Sequence, residues 1–374
     1  MNPLLVIQLI FGVFSLSPTN MRWFNVKRIV FCLFVMPIFL FILINNRLFL
    51  LLDYVFFPRF TRQKIKEPVF IISAPRSATT YLFHSLAQID DKYTCVKLWE
   101  IIFAPSILQK HIVLLLFKLD AYLGSPLKKS VRFFEQLIMG KFNKIHVMGL
   151  ELPEEDEGFL LWNFATLYLS YFYCDSPFFQ DHYQFDRTMN DAAKRRIMKT
   201  YSRYIQRHNF VFNRQGNRQF LSKNPLMMNK VNSLHGIFPD AKIININRDL
   251  ADTLPSTLAL NRSIYSAFTT RKTNERVESQ TIEQLVAWYE MAHESLTEKF
   301  PNQHLKVAFK KLVGQNTEEI QRISEFLSIP QKDVVFPEKV SVKKHKNSNA
   351  YTRLTTEELE PILSKLPFMK PYCE

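Results

Sequence analysis

The chain has 374 residues, which is enough for one large domain or two small ones with an N-terminal extension. Its net charge of +14, from 48 Lys and Arg against 34 Asp and Glu, indicates anionic partners but does not choose among phosphate, sulfate, nucleic acid and lipid headgroups. The 4 cysteines are far apart and form no CxxC or Cys/His pair, which argues against a disulfide framework and against a zinc site, so we expect no metal centre.

The first sixty residues differ from the rest of the chain by their long apolar runs. Residues 29–52 are apolar except for a short polar break at 45–47. This stretch is long enough to span a membrane, which takes about 20 residues, if Arg47 reaches the headgroups. We therefore predict an N-terminal membrane helix in a membrane-attachment region at residues 1–60, followed by a catalytic domain at residues 61–374. A buried core helix is the alternative.

The number of membrane spans and their orientation are less strongly indicated. An earlier apolar stretch at residues 4–16 is short and could form half of a hairpin or lie in the membrane interface. Lys and Arg residues are slightly more frequent after residues 29–52 than before them. This asymmetry favours membrane localisation with the catalytic domain on the cytoplasmic side, and it leaves the lumenal side open.

Beyond Phe57, the apolar patterns alternate between strands and helices. The predicted elements are a strand at 68–72, a helix at 79–89, a helix at 227–238, a strand at 242–247, a helix at 250–260 and a helix at 281–300. Residues 100–220 are predicted to be mostly helical. Because strand-helix units need a parallel sheet that is covered on both faces, we predict an α/β fold, a three-layer, P-loop-like parallel sheet with helices on both faces.

A basic run lies between Lys194 and Arg218, where Lys and Arg alternate with aromatic and aliphatic residues. This pattern predicts an amphipathic helix with a solvated basic face. A membrane-surface face or a patch for an acidic substrate is the alternative.

The segment PRSATT at residues 75–80 lies between the first predicted strand and the first predicted helix. Such a loop presents unpaired backbone N–H groups and the positive end of a helix dipole, which together bind an oxyanion. The hydroxyl groups of Ser77, Thr79 and Thr80 and the guanidinium of Arg76 add donors, so the segment is predicted to bind phosphate. The GxxxxGK[ST] motif is absent, which argues against a P-loop nucleotide kinase. Taken alone, the segment could also be a capped helix start with an incidental arginine.

Together with this loop, the segment FLSKNPLMMNKVNSLHGIFPDAKIININRDLADTLPSTLAL at residues 220–260 resembles the sulfotransferase superfamily that uses 3′-phosphoadenosine 5′-phosphosulfate (PAPS). The chain is most similar to the bacterial sulfotransferase-like group and to the protein-tyrosine sulfotransferases. The resemblance covers residues 65–330 and implies two sets of cofactor-binding residues. The set that grips the 5′-phosphosulfate comprises Arg76, Ser77, Ala78, Thr79 and Thr80. The set that grips the 3′-phosphate comprises Arg248 and Ser256.

Ala78 stands where the family usually has glycine. If this position needs a positive φ, alanine costs roughly 1 kcal/mol there. A relative that binds the nucleotide at the membrane without catalysing transfer is therefore an alternative to an active enzyme.

Sulfuryl transfer needs a base for the acceptor hydroxyl and a cation for the leaving oxygen. The resemblance to the tyrosine sulfotransferases implies that Glu100 is the base, that Lys223 stabilises the leaving group and that Arg76 shares this task. Glu100 could instead be an ordinary capping carboxylate. Glu155, within the acidic run after Pro153, is the second candidate base, although a proline followed by acids is also typical of a helix start.

These residues predict a PAPS-dependent sulfotransferase that moves a sulfuryl group to a hydroxyl acceptor by in-line transfer. The aromatic content of 14% and the apolar stretch at residues 112–119 favour a lipophilic acceptor taken from the membrane, although core packing explains them equally well. We expect the membrane and this acceptor as partners, and no nucleic acid. The sequence does not identify the acceptor itself.

Overall fold

A sheet of five parallel strands lies at the centre of the protein. The computed structural model describes residues 31–139, 149–171, 179–268, 275–336 and 352–373. The strands are β1 Val69–Ile72, β2 Tyr93–Thr94, β3 Gln219–Lys223, β4 Lys242–Asn247 and β5 His304–Ala308. Their order in the sheet is β2-β3-β1-β4-β5, so β1 pairs with β3 on one side and with β4 on the other. The predicted strands β1 and β4 are confirmed, whereas β2, β3 and β5 have no counterpart among the elements predicted from the apolar patterns.

Helices connect and cover the strands. They are α1 Met36–Phe56, α2 Thr79–Leu86, α3 Leu98–Ile102, α4 Ile107–Tyr122, α5 Pro126–Met139, α6 Gln180–Tyr183, α7 Phe185–Thr188, α8 Asp191–Phe212, α9 Val231–His235, α10 Leu250–Phe268, α11 Glu275–Lys299, α12 Phe309–Val313, α13 Thr317–Leu327 and α14 Thr356–Lys365. The predicted helix at 227–238 is divided into a 3-10 turn, Pro225–Asn229, and α9. The division arises because Lys230 between them has a non-helical backbone, with φ −129° and ψ 13°.

The sheet has a separate apolar core on each face. Along β1, Phe70 and Ile72 pack into one core, while Val69 and Ile71 pack into the other. Helices α8 to α11 contribute to the first core, and α2, α12 and α13 contribute to the second. Because every β1 side chain is fully buried, the strand can be a continuous apolar run, as the sequence shows. The predicted three-layer α/β fold is confirmed.

The apolar N-terminal helix is also present. The segment Leu33–Phe56, which includes α1, is 24 residues long and apolar enough to cross a membrane. One side of α1 packs into the first core through Leu43 and Leu50. The part of the predicted apolar region at residues 1–30 lies outside the described residues.

A buried ion pair joins α1 to α8. The Asp53 carboxylate is fully buried and lies 2.7 Å from Nε of Arg207, whose side chain is 4% exposed. The same carboxylate accepts the backbone N–H groups of Ile107 and Leu108 at the start of α4. Arg207 belongs to the basic run that was predicted to be solvated, and for this residue the prediction is wrong. Its guanidinium is buried because it pairs with Asp53 and lies 4.3 Å from the Phe60 ring centroid.

Replacing Asp53 by asparagine should therefore strongly destabilise the protein. Asparagine can still cap α4, but it leaves Arg207 buried without its counter-ion, which typically costs about 3 to 5 kcal/mol. Asp120 is a matched control, because it caps α5 through the N–H groups of Leu127 and Lys128. Asp120→Asn should cost under about 1 kcal/mol, since asparagine caps helices nearly as well. Urea unfolding in detergent micelles measures both variants, and equal losses would contradict the role given to the ion pair.

Candidate active site

The PRSATT loop connects β1 to α2 in an unusual backbone conformation. Arg76 and Ala78 both have positive φ angles, 69° and 60°. Positive-φ residues that alternate with others turn successive N–H groups towards one concave side, which is the geometry that binds anions. Ser77 between them is fully buried, and its hydroxyl oxygen has no hydrogen-bond partner within the described part of the chain. A buried hydroxyl without a partner at the start of α2 fits a phosphate or sulfate group as its missing acceptor.

Neighbouring strands bring two cations to this loop. Lys223 is the last residue of β3 and Arg248 follows the end of β4, on opposite sides of β1. Arg248 donates a hydrogen bond of 2.6 Å from Nη1 to the carbonyl oxygen of Arg76, and its guanidinium lies 4.7 Å from the Phe309 ring centroid. Ser256 is buried on α10, the helix that begins two residues after Arg248. The two predicted anion-binding groups thus lie at the same edge of the sheet.

Lys223 forms an ion pair with the second candidate base. Its Nζ atom lies 2.5 Å from Oε1 of Glu155 and 4.0 Å from Oε1 of Glu154. Lys223 is 1% exposed and Glu155 is 19% exposed, so the pair lies just below the surface. Oε2 of Glu155 accepts a hydrogen bond from the hydroxyl of Tyr168. One carboxylate therefore contacts both the predicted leaving-group cation and a tyrosine hydroxyl.

The acidic run around Glu155 is not an ordinary solvated helix start. Pro153 forms a β-bridge with Lys97, and a 3-10 helix begins only at Asp156. Asp156 is buried and accepts hydrogen bonds from Tyr201 at 2.7 Å and from Asn224 at 3.3 Å. Burial raises the pKa of Asp156 to about 7 despite these donors. The interpretation of a helix start at Pro153 is wrong, because the chain there pairs with another segment.

Glu100 lies in a different network. It is 1% exposed, and its Oε1 atom accepts the backbone N–H of Lys97 at 3.0 Å, which closes a capping box at the start of α3. Its Oε2 atom lies 2.8 Å from Nδ1 of His208 and 3.6 Å from Nζ of Lys110. Burial alone would raise the pKa of Glu100, but His208 and Lys110 outweigh burial and hold this pKa below its ordinary value. The described contacts of Glu100 are thus those of a buried structural carboxylate.

A cavity of about 100 Å³ opens beside the PRSATT loop. Its lining includes Pro75 of the loop, Tyr168, and a set of aromatic and amide side chains from α10 and α11. That set is Asn261, Tyr265, Gln280, Gln284 and Trp288. Because Tyr168 both lines the cavity and donates to Glu155, a group bound in the cavity would lie next to the Glu155–Lys223 pair. We identify this cavity as the candidate acceptor site.

Two of these residues were not predicted from the sequence, Tyr168 and His208. The chain contains 14 tyrosines and 9 histidines, and no motif separates these two from the others. Their roles depend on contacts with Glu155 and Glu100, which are 13 and 108 positions away, respectively. Only the fold brings these pairs together.

Residues 68–333, well over half of the chain, match the sequence model described as the sulfotransferase family. The chain belongs to the sulfotransferase family. The match confirms the resemblance found in the sequence.

The relatives of this sulfotransferase include the omega-hydroxy-beta-dihydromenaquinone-9 sulfotransferase Stf3 of Mycobacterium tuberculosis. The two sequences are 24% identical over 302 residues, which are 79% of this chain and 71% of the relative. The protein of the same name from Mycobacterium bovis matches equally well. Among solved structures, the fold is shared with sulfotransferase STF9 from Mycobacterium avium, with a TM-score of 0.66, 15% identity and coverage of 87% of this chain and 82% of STF9. Sulfotransferase STF1 from Mycobacterium tuberculosis also has a TM-score of 0.66, with 12% identity and coverage of 97% and 91%.

The positive φ of Ala78 leads to a stability prediction. Glycine adopts this conformation without the steric cost of roughly 1 kcal/mol that alanine has, so Ala78→Gly should stabilise the protein by up to about 0.5 kcal/mol after the greater flexibility of glycine is included. Ala87, at the end of α2, is a matched control because its φ is −64°. Ala87→Gly should destabilise the protein by about 0.5 to 1 kcal/mol. Urea unfolding curves measure both changes, and destabilisation by Ala78→Gly would show that the loop is not strained at this residue.

Proposed function

We propose that this sulfotransferase uses PAPS as its donor and transfers the sulfuryl group to a hydroxyl acceptor. The observation that carries the proposal is the convergence of Lys223, Arg248 and the PRSATT loop at one edge of the sheet. PAPS carries a phosphosulfate on the 5′ position of its ribose and a phosphate on the 3′ position. This edge of the sheet offers two sets of residues that can bind anions, the PRSATT loop and the pair Arg248 and Ser256. Ser77, with its buried hydroxyl lacking a described partner, supports the 5′-phosphosulfate position. Arg248 and Ser256 are proposed to bind the 3′-phosphate.

When bound, PAPS would supply the activated sulfuryl group, and the residues of the chain would supply charge and a base. Lys223 is the last residue of a buried strand, and once its ammonium turns from Glu155 to the donor it can stabilise negative charge on the leaving oxygen. Arg76, in the same loop as Ser77, is proposed to share this task. Because Lys223 pairs with Glu155, an anionic donor would compete with this carboxylate for the ammonium. Glu155 would then be released to accept a proton.

We propose Glu155 as the base that accepts the proton of the acceptor hydroxyl. It is partly exposed, it contacts Lys223, and through Tyr168 it adjoins the candidate acceptor cavity. Glu100, the candidate favoured by the resemblance, remains the alternative base. Its contacts with Lys97, Lys110 and His208 favour a structural role instead.

We further propose that the acceptor is lipophilic and that the enzyme is attached to a membrane. The name of the relative Stf3 indicates a menaquinone derivative as its substrate, which is a lipophilic molecule with a hydroxyl group. In this chain, aromatic side chains such as Tyr265 and Trp288 line the acceptor cavity, and α1 supplies an apolar helix for attachment.

Nucleotide binding can be tested without any knowledge of the acceptor. Adenosine 3′,5′-bisphosphate should raise the melting temperature of the full chain in detergent without added magnesium, because a ligand that binds only the folded state stabilises it. Arg248→Ala should remove most of this shift. Arg262→Ala is the matched control, since Arg262 lies on the exposed side of α10 and pairs with Glu278. Equal protection by 5′-AMP and by the bisphosphate would contradict a separate 3′-phosphate site.

The choice of base can be tested with paired substitutions. Glu155→Gln keeps the size of the side chain but removes the base, so transfer of radiolabelled sulfate from PAPS to a lipid extract should fall by roughly 10² to 10⁴. Protection by adenosine 3′,5′-bisphosphate should persist, because the substitution removes a competitor for Lys223 and no ligand contact. Glu100→Gln should reduce stability and leave turnover per folded molecule within about tenfold. The reverse pattern of turnover would assign the base to Glu100.

A further inference from the structure

Exposed large apolar side chains are concentrated in one part of the described chain. Of 22 such residues, 21 lie between positions 33 and 133, on α1, α4, α5 and their connections, and the other is Val335. Soluble proteins rarely expose a contiguous apolar patch of more than a few hundred Å². The concentration therefore indicates a surface that is covered by another apolar phase.

Helix α1 has two stripes of side chains on opposite faces, and the exposed one is apolar. The stripe that packs on the catalytic domain recurs every three or four residues and consists of Phe39, Leu43, Asn46, Leu50 and Asp53. The stripe that is exposed has the same spacing and consists of Phe41, Ile44, Leu48, Leu51 and Val55. These spacings place the stripes on opposite sides of the helix. Helix α1 thus lies along the domain and turns its apolar outer face away from it.

Because α1 is docked along most of its length, it cannot also cross a bilayer in this position. Contact with the domain begins at Phe39, whose ring stacks on Trp162 with 5.5 Å between centroids. It continues to Asn46, which donates to the carbonyl oxygen of Ile102 at 3.1 Å. The described helical turns before Phe39 begin at Phe31 and extend only about 12 Å, whereas the hydrocarbon core of a bilayer is about 30 Å thick.

The second half of α4 continues the same surface. It is apolar on several sides, with exposed side chains at Ile112, Leu115, Leu116, Phe117 and Leu119. Helix α4 packs against α1, where the Gln109 side chain donates to both Asn45 and Asn46. A helical segment that is mostly apolar is typically buried in a protein or in lipid, whereas this part of α4 is exposed.

The charges beside this surface favour an anionic membrane as the apolar phase. Lys118, Lys128, Lys129 and Arg132 are exposed on α4 and α5, and their charge is only partly offset by Glu151, which pairs with Lys128 at 3.2 Å and with Arg132 at 3.9 Å. Lys118 lies within the apolar part of α4, where a long side chain can carry its charge to the headgroups. Basic residues that border an exposed apolar surface are typical of proteins that lie in the interface of an anionic leaflet.

We propose that the outer stripe of α1 and the exposed apolar residues of α4 and α5 form one leaflet surface, which enters a single leaflet of an anionic phospholipid bilayer. Attachment is then monotopic, and α1 does not cross the membrane. The inference rests on the proposed membrane attachment and specifies its geometry. It also places the catalytic domain directly against the leaflet that would hold a lipophilic acceptor.

The test is the binding of the full chain, diluted from detergent, to vesicles of phosphatidylcholine and phosphatidylglycerol in a 7:3 ratio. Leu116→Glu combined with Leu119→Glu should lower the partition coefficient in a sedimentation assay at least tenfold, because two apolar contacts are lost and two charges must approach the hydrocarbon. Val335→Glu is the matched control, since Val335 is 56% exposed, against 47% for Leu116 and 51% for Leu119. This control variant should bind like the wild type.

Any other result would contradict the proposed leaflet surface, and each result points to a different explanation. If the wild type binds and the double variant binds equally well and resists carbonate extraction, α1 alone anchors the protein and the surface is not a membrane contact. If the wild type does not bind vesicles, membrane attachment itself fails, whatever the result of the sulfate-transfer assay. A cross-linked dimer that disappears in the double variant would show that a second copy covers the surface. Absence of both vesicle binding and dimer would indicate that residues 1–30 cover it.

Discussion

The arrangement of parallel strands is the constraint on which the rest of this protein depends. In a parallel sheet all carboxyl ends lie at one edge, so whatever follows β1, β3 and β4 must meet there. The PRSATT loop follows β1, Lys223 ends β3 and Arg248 follows β4. The hydrogen-bond donors of the PRSATT loop and the positive charges of Lys223 and Arg248 therefore lie near the start of α2, where the positive end of the helix dipole also attracts anions. The proposed anion site follows from the strand order β2-β3-β1-β4-β5 and from the residues at the strand ends.

Helix α8 connects the N-terminal helix to α3 and to the edge strand β2. Its adjacent residues Arg207 and His208 are both buried and point to different acids, Arg207 to Asp53 of α1 and His208 to Glu100 of α3. His208 also lies 2.8 Å from the hydroxyl of Thr94 on β2. Arg207 and His208 on α8 therefore fix the positions of α1, α3 and β2 relative to one another. This coupling explains why α1 is part of the catalytic domain's packing although its sequence is typical of a separate membrane segment.

The sequence was sufficient to predict the elements whose signal is local. Strand β1 is a continuous apolar run and β4 contains three isoleucines, and the PRSATT loop and Arg248 come after them, so the sheet class and the sulfotransferase family could be predicted. Strand β3 carries Ser222 and Lys223, and its polarity hides it from an apolar pattern. The contacts of Glu155 with Lys223 and Tyr168 join residues up to 68 positions apart, and the burial of Arg207 requires Asp53, 154 positions away. Such pairs form only through tertiary packing, so they cannot be predicted from local patterns in a single sequence.

A crystal structure with adenosine 3′,5′-bisphosphate tests the proposed donor site at the edge of the sheet most directly. We expect the 5′-phosphate to accept a hydrogen bond from the Ser77 hydroxyl and the N–H groups at the start of α2, and the 3′-phosphate to contact Arg248 and Ser256. We also expect Lys223 to turn from Glu155 towards the 5′-phosphate. A nucleotide bound elsewhere, or one bound at this edge while Ser77 and Arg248 make no contact with it, would contradict the proposed donor site.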